Sequence, residues 1–198
     1  MIDEKFVILA LLLNTFGDLK YVIATLRGHV RPNKVTWLFW AIAPLVAFSA
    51  EISEGVGWAS VMTLSVGLNP LLVFAASFFN KKAEWKITKF DIICGFLSLV
   101  GIALWGITKN ANLAIFFAIL ADLFAGIPTM TKAWYYPETE NPSPFIYACF
   151  ASVITLLTIK QWDFAHYGFP VFILFICSTF VLLIQFRIEK VIKASLNR

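Results

Sequence analysis

Seven apolar runs, joined by connections of no more than about twelve residues, dominate this chain and leave little choice of fold. They fall at about residues 6–26, 35–53, 57–79, 90–108, 112–133, 144–160 and 168–187. A helix needs about 20 apolar residues to cross the hydrocarbon core of a bilayer. The spacing therefore predicts an all-α integral membrane protein with seven transmembrane helices. Composition agrees, since 14% of the residues are charged where a soluble domain keeps about 25%. The longest connections, Asn80–Lys89 and Lys132–Ser143, leave no room for a separate soluble domain. The first run lacks a small-residue cleavage site, so it is expected to be a retained span rather than a signal peptide.

The cations set an orientation. Twelve of them (Arg27, Arg31, Lys34, Lys81, Lys82, Lys86, Lys89, Lys132, Arg187, Lys190, Lys193 and Arg198) would lie on one side, against Lys5, Lys109 and Lys160 on the other. Glu51 and Glu54 fall between the second and third spans, on that second side. The positive-inside rule places the amino terminus outside and the carboxyl terminus in the cytoplasm. A bacterial inner or plasma membrane is the expected location, and the lipid bilayer is the expected partner of the spans. The net charge of +4 follows from these loops, and no basic soluble module for nucleic acid exists.

Internal symmetry comes next. Placing Asp18 on Asp122 aligns "DLKYVIAT" with "DLFAGIPT", and after the loop "RPNKVTWLFWA" meets "NPSPFIYACFA". Spans one to three then match spans five to seven, with span four left over. Three is odd and one span intervenes, so both triplets run the same way through the bilayer, as a parallel repeat. The chain divides into a first three-helix bundle (1–79), a loop and linker helix (80–111), a second three-helix bundle (112–187) and a cytoplasmic tail (188–198).

The costly residues lie inside these spans. A charge at mid-bilayer costs at least about 2.5–3.5 kcal/mol and is a functional candidate by default. Residues three, four and seven apart share a helix face, so Asn14, Asp18, Tyr21 and Thr25 form one polar stripe on span one. On span five the matching face carries Ala118, Asp122, Ala125, Gly126 and Thr129. The repeat would set the two aspartates at similar depth across its axis, either as proton-coupling groups in a polar cavity or as satisfied structural acceptors. Lys20 lies about 200° around the helix from Asp18, and either snorkels towards the cytoplasm or pairs with another helix. Asn69 brings a donor and an acceptor to the depth where Pro70 frees a backbone carbonyl, for a solute or for another helix. Trp37 reads as part of the interfacial aromatic belt. Trp40, a turn deeper, either joins that belt or lines a cavity. Pro44, Pro70 and Pro128 fall within spans and make hinges.

A chain of this 3+1+3 form with its amino terminus outside resembles the SWEET and PQ-loop transporters. Their Pro-Gln kink has a partial counterpart in "IPTMTKAWYYPETENPSPF" (127–145), where Thr129 stands in place of glutamine. The resemblance implies alternating access of two rocking bundles. It also implies a substrate-binding asparagine on helix three, which would be Asn69. On helix seven Ser178 or Thr179 would fill the matching role. Of the proline ring on helices one, two, five and six, Pro44 and Pro128 are present.

The expected function is thus a facilitator or proton-coupled carrier for a small polar solute such as a sugar or an amino-acid-like molecule. The alternative is a seven-helix receptor of the same fold that binds a ligand or cargo signal without moving it. Homo-oligomerisation is allowed but not required, because two bundles in one chain can enclose a pathway. An enzyme is not expected: His29 and His166 fall a membrane apart, and no HExxH, GxSxG or phosphate-cradling glycine loop is present. Span seven has no lysine for a retinal Schiff base. Cys94, Cys149 and Cys177 lie in apolar runs without metal-ligand spacing, so neither a metal nor a cofactor is expected.

Overall fold

The computed structural model describes residues 2–79, 85–107 and 110–188, apart from the side chains of residues 101, 102, 105 and 106. Among the described residues seven α-helices follow in order: α1 Val7–Leu26, α2 Lys34–Ser53, α3 Ser60–Ala76, α4 Lys89–Ile107, α5 Ala111–Tyr135, α6 Ser143–Thr158 and α7 Phe164–Ile184. Each coincides with one apolar run to within a few residues. Five of them (α1, α2, α3, α5 and α7) are long and apolar enough to cross a membrane, and α6 is apolar but shorter at 16 residues. Of the basic residues expected on one side, Lys81, Lys82, Lys190, Lys193 and Arg198 lie outside the described residues, as does Lys109 from the other side.

The faces of α1 explain how these helices meet. Ala10, Asn14, Gly17, Asp18, Tyr21, Ala24 and Thr25 are buried, whereas Leu12, Phe16, Leu19 and Ile23 are exposed. Small and polar residues inside with large apolar ones outside is the reverse of a helix on a water-soluble protein. Lipid tails are as apolar as leucine, so helices in a bilayer associate through close packing of small residues and through polar bonds. The same inversion holds in α5, where Ala118, Ala121, Asp122, Ala125 and Gly126 are buried and Leu113 and Phe116 are exposed. These are the helices of a multi-pass membrane protein.

Close approach has a visible cause at Gly17. A Cβ there would stand 2.8 Å from Tyr147 Cβ and 3.1 Å from Pro144 Cα, so α1 and α6 cross where residue 17 lacks a side chain. Two other glycines end helices. Gly28 and Gly55 both have φ of 74°, and the following residues return hydrogen bonds to Ala24 and Glu51, which closes α1 and α2 with the same left-handed cap. At the other terminus the Asn33 side chain accepts from the N–H groups of Val35 and Thr36 and starts α2.

Helix α3 packs on both α1 and α2, and α7 packs on both α5 and α6. Between these groups α1 packs on α6 and α2 on α5, while α4 lies against α5 and α2. One end of the molecule gathers Glu4, Val56, Trp58, Lys160 and His166. The other gathers His29, Arg31, Trp85, Tyr136 and Glu138. Pro44, Pro70, Pro128 and Pro170 lie inside their helices, and all four are buried.

Candidate functional site: an acidic cavity and a polar cluster beneath it

A cavity of about 50 Å³ lies inside the helices, and every residue lining it except Val66 is buried. Helix α1 contributes Asn14 and Asp18, one turn apart on the polar stripe, and α5 contributes Asp122. Trp37 and Trp40 enter from α2, and Pro144, Phe145 and Ala148 from α6. Helix α3 supplies Val66 and Pro70, and α7 supplies Ile173, Ile176, Cys177 and Phe180. Both aspartates lie within electrostatic reach of Cys177. The volume suits a few water molecules, since one water needs about 10–15 Å³.

The two carboxylates are held differently. The Asn69 amide lies against Asp18, and the Asn14 amide is fixed by donating to the Ser65 hydroxyl at 3.1 Å. Asp122 is 2% exposed, and its Oδ1 has no hydrogen-bond partner among the described residues. Its backbone carbonyl does have one, the indole N–H of Trp40 at 3.1 Å. That bond needs Gly126, because a Cβ there would already touch the Trp40 ring at 3.3 Å. Trp40 stands edge-on to Trp37, Phe145 and Phe180, at 5.3, 6.0 and 5.5 Å between ring centres. Phe145 and Phe180 stack at 4.4 Å.

Three residues further along α1 a second polar cluster begins. The Tyr21 hydroxyl donates to Glu140 at 2.5 Å. Glu140 forms an ion pair with Lys132, and both side chains are fully buried. Lys132 also donates to the Arg31 carbonyl and stands 4.8 Å from the centre of the Trp85 ring. The Arg31 N–H donates to the Thr139 carbonyl at 3.0 Å, so the α1–α2 and α5–α6 connections are tied directly. Beyond this cluster opens a vestibule of about 580 Å³ lined by His29, Arg31, Trp85 and Tyr136. Along α1 the order is therefore cavity, ion pair, vestibule.

Several residues stand elsewhere than their sequence pattern led one to expect. Asn69 is buried beside the cavity without lining it: its amide donates to the Thr15 hydroxyl at 3.3 Å. Helix rotation explains this, since α3 turns Val66 and Pro70 to the cavity and Asn69 lies 100° away. Ser178 and Thr179 also miss the lining, which on α7 is the face of 173, 176, 177 and 180. Ser178 meets Cys149 at 3.6 Å, and Thr179 donates to the Phe175 carbonyl of its own helix. Tyr21 belongs to the ion-pair cluster rather than to the cavity. Trp37 is buried against Tyr21, at 4.7 Å between ring centres, and is not at a headgroup belt. Lys20 is exposed and stands over the Phe16 and Tyr147 rings. Thr129 is buried and donates to the Thr36 hydroxyl, joining α5 to α2.

Three buried acids escaped the sequence reading. Asp91, 3% exposed near the start of α4, accepts from the Asn33 amide and from the Thr88 hydroxyl, each at 2.8 Å. Glu51 lies within α2, 1% exposed, and accepts from the Thr63 hydroxyl at 3.0 Å. Glu140 sits in a polar connection that reads as solvated, and its one hint is the lone cation Lys132 before it. Among the described residues, no group of three or more His, Cys, Asp or Glu side chains is placed to hold a metal ion. Comparison of the chain with protein-family models, with curated proteins and with solved structures finds no match.

Proposed function

We propose that this protein is a membrane carrier for a small polar solute, working by alternating access of two three-helix bundles, α1–α3 and α5–α7. The observation that carries the reading is the shared cavity, to which α1 brings Asp18 and α5 brings Asp122. A carboxylate buried from both sides of one chamber is costly in a membrane, and a solute pathway gives the cost a purpose.

The helix contacts support two like-oriented bundles. Exchanging α1 with α5, α2 with α6 and α3 with α7 converts the contacts among these six helices into one another: α1 on α3 into α5 on α7, and α1 on α6 into α5 on α2; α4, against α5 and α2, stands outside this exchange. The second helices correspond best when Asn33 is set on Asn141. Each side chain then accepts from the N–H two residues on, and Trp37 and Trp40 fall on Phe145 and Ala148, all four of which line the cavity. This register differs by two residues from the one that aligns Pro32 with Pro142. Helix α4 is the linker, and SWEET-like architecture is the nearest description.

On this reading Tyr21, Glu140, Lys132 and the Arg31 carbonyl form the closed gate between cavity and vestibule, with Pro44, Pro70 and Pro128 as hinges. The positive-inside rule, applied to the described cations Arg27, Arg31, Lys34, Lys86, Lys89 and Arg187, supports a cytoplasmic position for that gate with the amino terminus outside. Carriage of this kind requires no chemistry on the solute, and no enzymatic activity is part of the proposal.

Flux of a radiolabelled solute panel into proteoliposomes tests the proposal. Asp18→Asn and Asp122→Asn are each expected to lower flux at least tenfold while helix content and monodispersity stay unchanged. Wild-type flux in both variants would remove the aspartates from the pathway. Saturable binding with no flux for any solute would favour the receptor.

A further inference from the structure

The cavity holds two carboxylates and no cation. Lys, Arg and His are all missing from its described lining, and the nearest buried cation, Lys132, is committed to Glu140. Isolated buried charge is expensive, so a site of this kind either stays neutral or meets an opposite charge. The unpartnered Asp122 Oδ1, in a residue 2% exposed, gives such a charge a place to bind. The rest of the lining points to the same chemistry. Trp37, Trp40, Phe145 and Phe180 line the same cavity and contact one another, and aromatic faces attract cations, most strongly where water is excluded.

A sugar suits these walls poorly. Its several hydroxyls would meet two carboxylates, the Trp37 indole N–H, an asparagine whose amide already donates to Ser65 and otherwise mainly apolar side chains, and each buried hydroxyl left without a partner costs free energy. A protonated amine brings a few donors, which two carboxylates can accept, and a compact apolar body for the rings. The space of about 50 Å³ also suits a small cationic head better than a hexose. We infer that the solute of this cavity is a small organic cation, bound through an ammonium head between Asp18 and Asp122 within the ring of aromatic side chains. The inference rests on the proposed carrier reading only in calling the ligand a solute.

The test is titration calorimetry of the purified full chain in nanodiscs with ethanolammonium chloride at pH 7. Sodium chloride and glycerol serve as the inorganic and neutral comparisons. Saturable ethanolammonium binding is expected, weakened at least tenfold by Asp122→Asn and by Asp18→Asn and retained in Asp122→Glu; glycerol gives none. Should the asparagine variants misfold, the unmodified protein still decides. Its melting temperature must rise with ethanolammonium concentration and stay unmoved by equal glycerol. Glycerol binding without amine binding, sodium binding tighter than the amine, or amine binding indifferent to both aspartates would each overturn the inference. Amine binding without flux would leave the cation site standing and defeat the carrier. Flux of a neutral solute without amine binding would do the reverse.

Discussion

Asp122 and Glu140 are both buried acids at the junction of the same helices, and their surroundings differ in one respect. Glu140 has an opposite charge beside it, Lys132 on one oxygen, and the Tyr21 hydroxyl on the other. Among the described residues, Asp122 faces a cavity with no cation in its lining and keeps one oxygen unpartnered. Asp18 stands between these extremes, with an amide against it but no opposite charge in the cavity. A saturated ion pair holds parts of a structure together. An unsaturated carboxylate in a cavity keeps its binding capacity for something that arrives. The two centres lie about one helical turn apart along α1, and the proposed carrier assigns one of these tasks to each.

The comparison breaks most visibly at Lys132. Lys132→Met strands Glu140 in a buried site, and removing one partner of such a pair costs about 3–5 kcal/mol. The expected readout is a large drop in melting temperature, or loss of the monodisperse species. Lys132→Met with Glu140→Leu should recover most of that loss, because replacing both members of a buried pair by apolar groups is often neutral. A single variant as stable as wild type would show that the pair holds nothing. Tyr21→Phe comes next. It deletes one hydrogen bond to a charged acceptor, for about 1.5–3 kcal/mol. If α5–α6 is the gate it should also speed solvent access to the vestibule by hydrogen exchange at 136–142. Exchange unchanged there, with stability lost, would make the bond local.

At the unsaturated centre the sign should change. Asp122→Asn removes a buried acid that has no counter-charge, so stability is expected to stay within about 1 kcal/mol of wild type or to rise. Denaturant or thermal unfolding of the two proteins side by side measures it. A loss as large as that of Lys132→Met would mean that Asp122 has a structural partner after all and that the two centres are alike.

How much of this was legible beforehand depends on the range of the interaction. Helix ends were readable to within a few residues because about 20 apolar residues is a length fixed by the bilayer. The burial of Asn14, Asp18, Tyr21 and Thr25 follows from their common face on an otherwise apolar helix. Which of them meets the cavity does not, because Tyr21 is claimed by Glu140, 119 positions away. Helix α7 hid its orientation for a different reason. Its sequence "FAHYGFPVFILFICSTFVLLI" is apolar all round, so nothing marks the face of Cys177 over that of Ser178 and Thr179. Asn69 and Pro70 are adjacent, and only packing decides which one turns inward. Trp37 near the start of a span looks interfacial, and its burial depends on Tyr21 from another helix.

Asp163 supplies the smallest effect and a control for burial. It caps α7 outside the helix, accepting from the His166 N–H at 3.2 Å and from Gln161 Nε2 at 2.6 Å, with its side chain 42% exposed. Its bond with the His166 ring holds its carboxyl below the usual carboxylate range. A folded-state value below the unfolded one gives stability that is present above the ordinary range and is lost as pH falls through the lowered value. Solvent screening keeps the contribution under about 1 kcal/mol. Amide exchange in the first turn of α7 should therefore accelerate in wild type relative to Asp163→Asn as pH drops below about 4. Asparagine retains the cap but has no proton to gain, which isolates the charge. Equal acid sensitivity in both proteins would assign the acid limb to other carboxylates. A difference confined to this turn would show that a solvated acid with partners matters locally and weakly, against which the large, opposite responses expected at Lys132 and Asp122 can be judged.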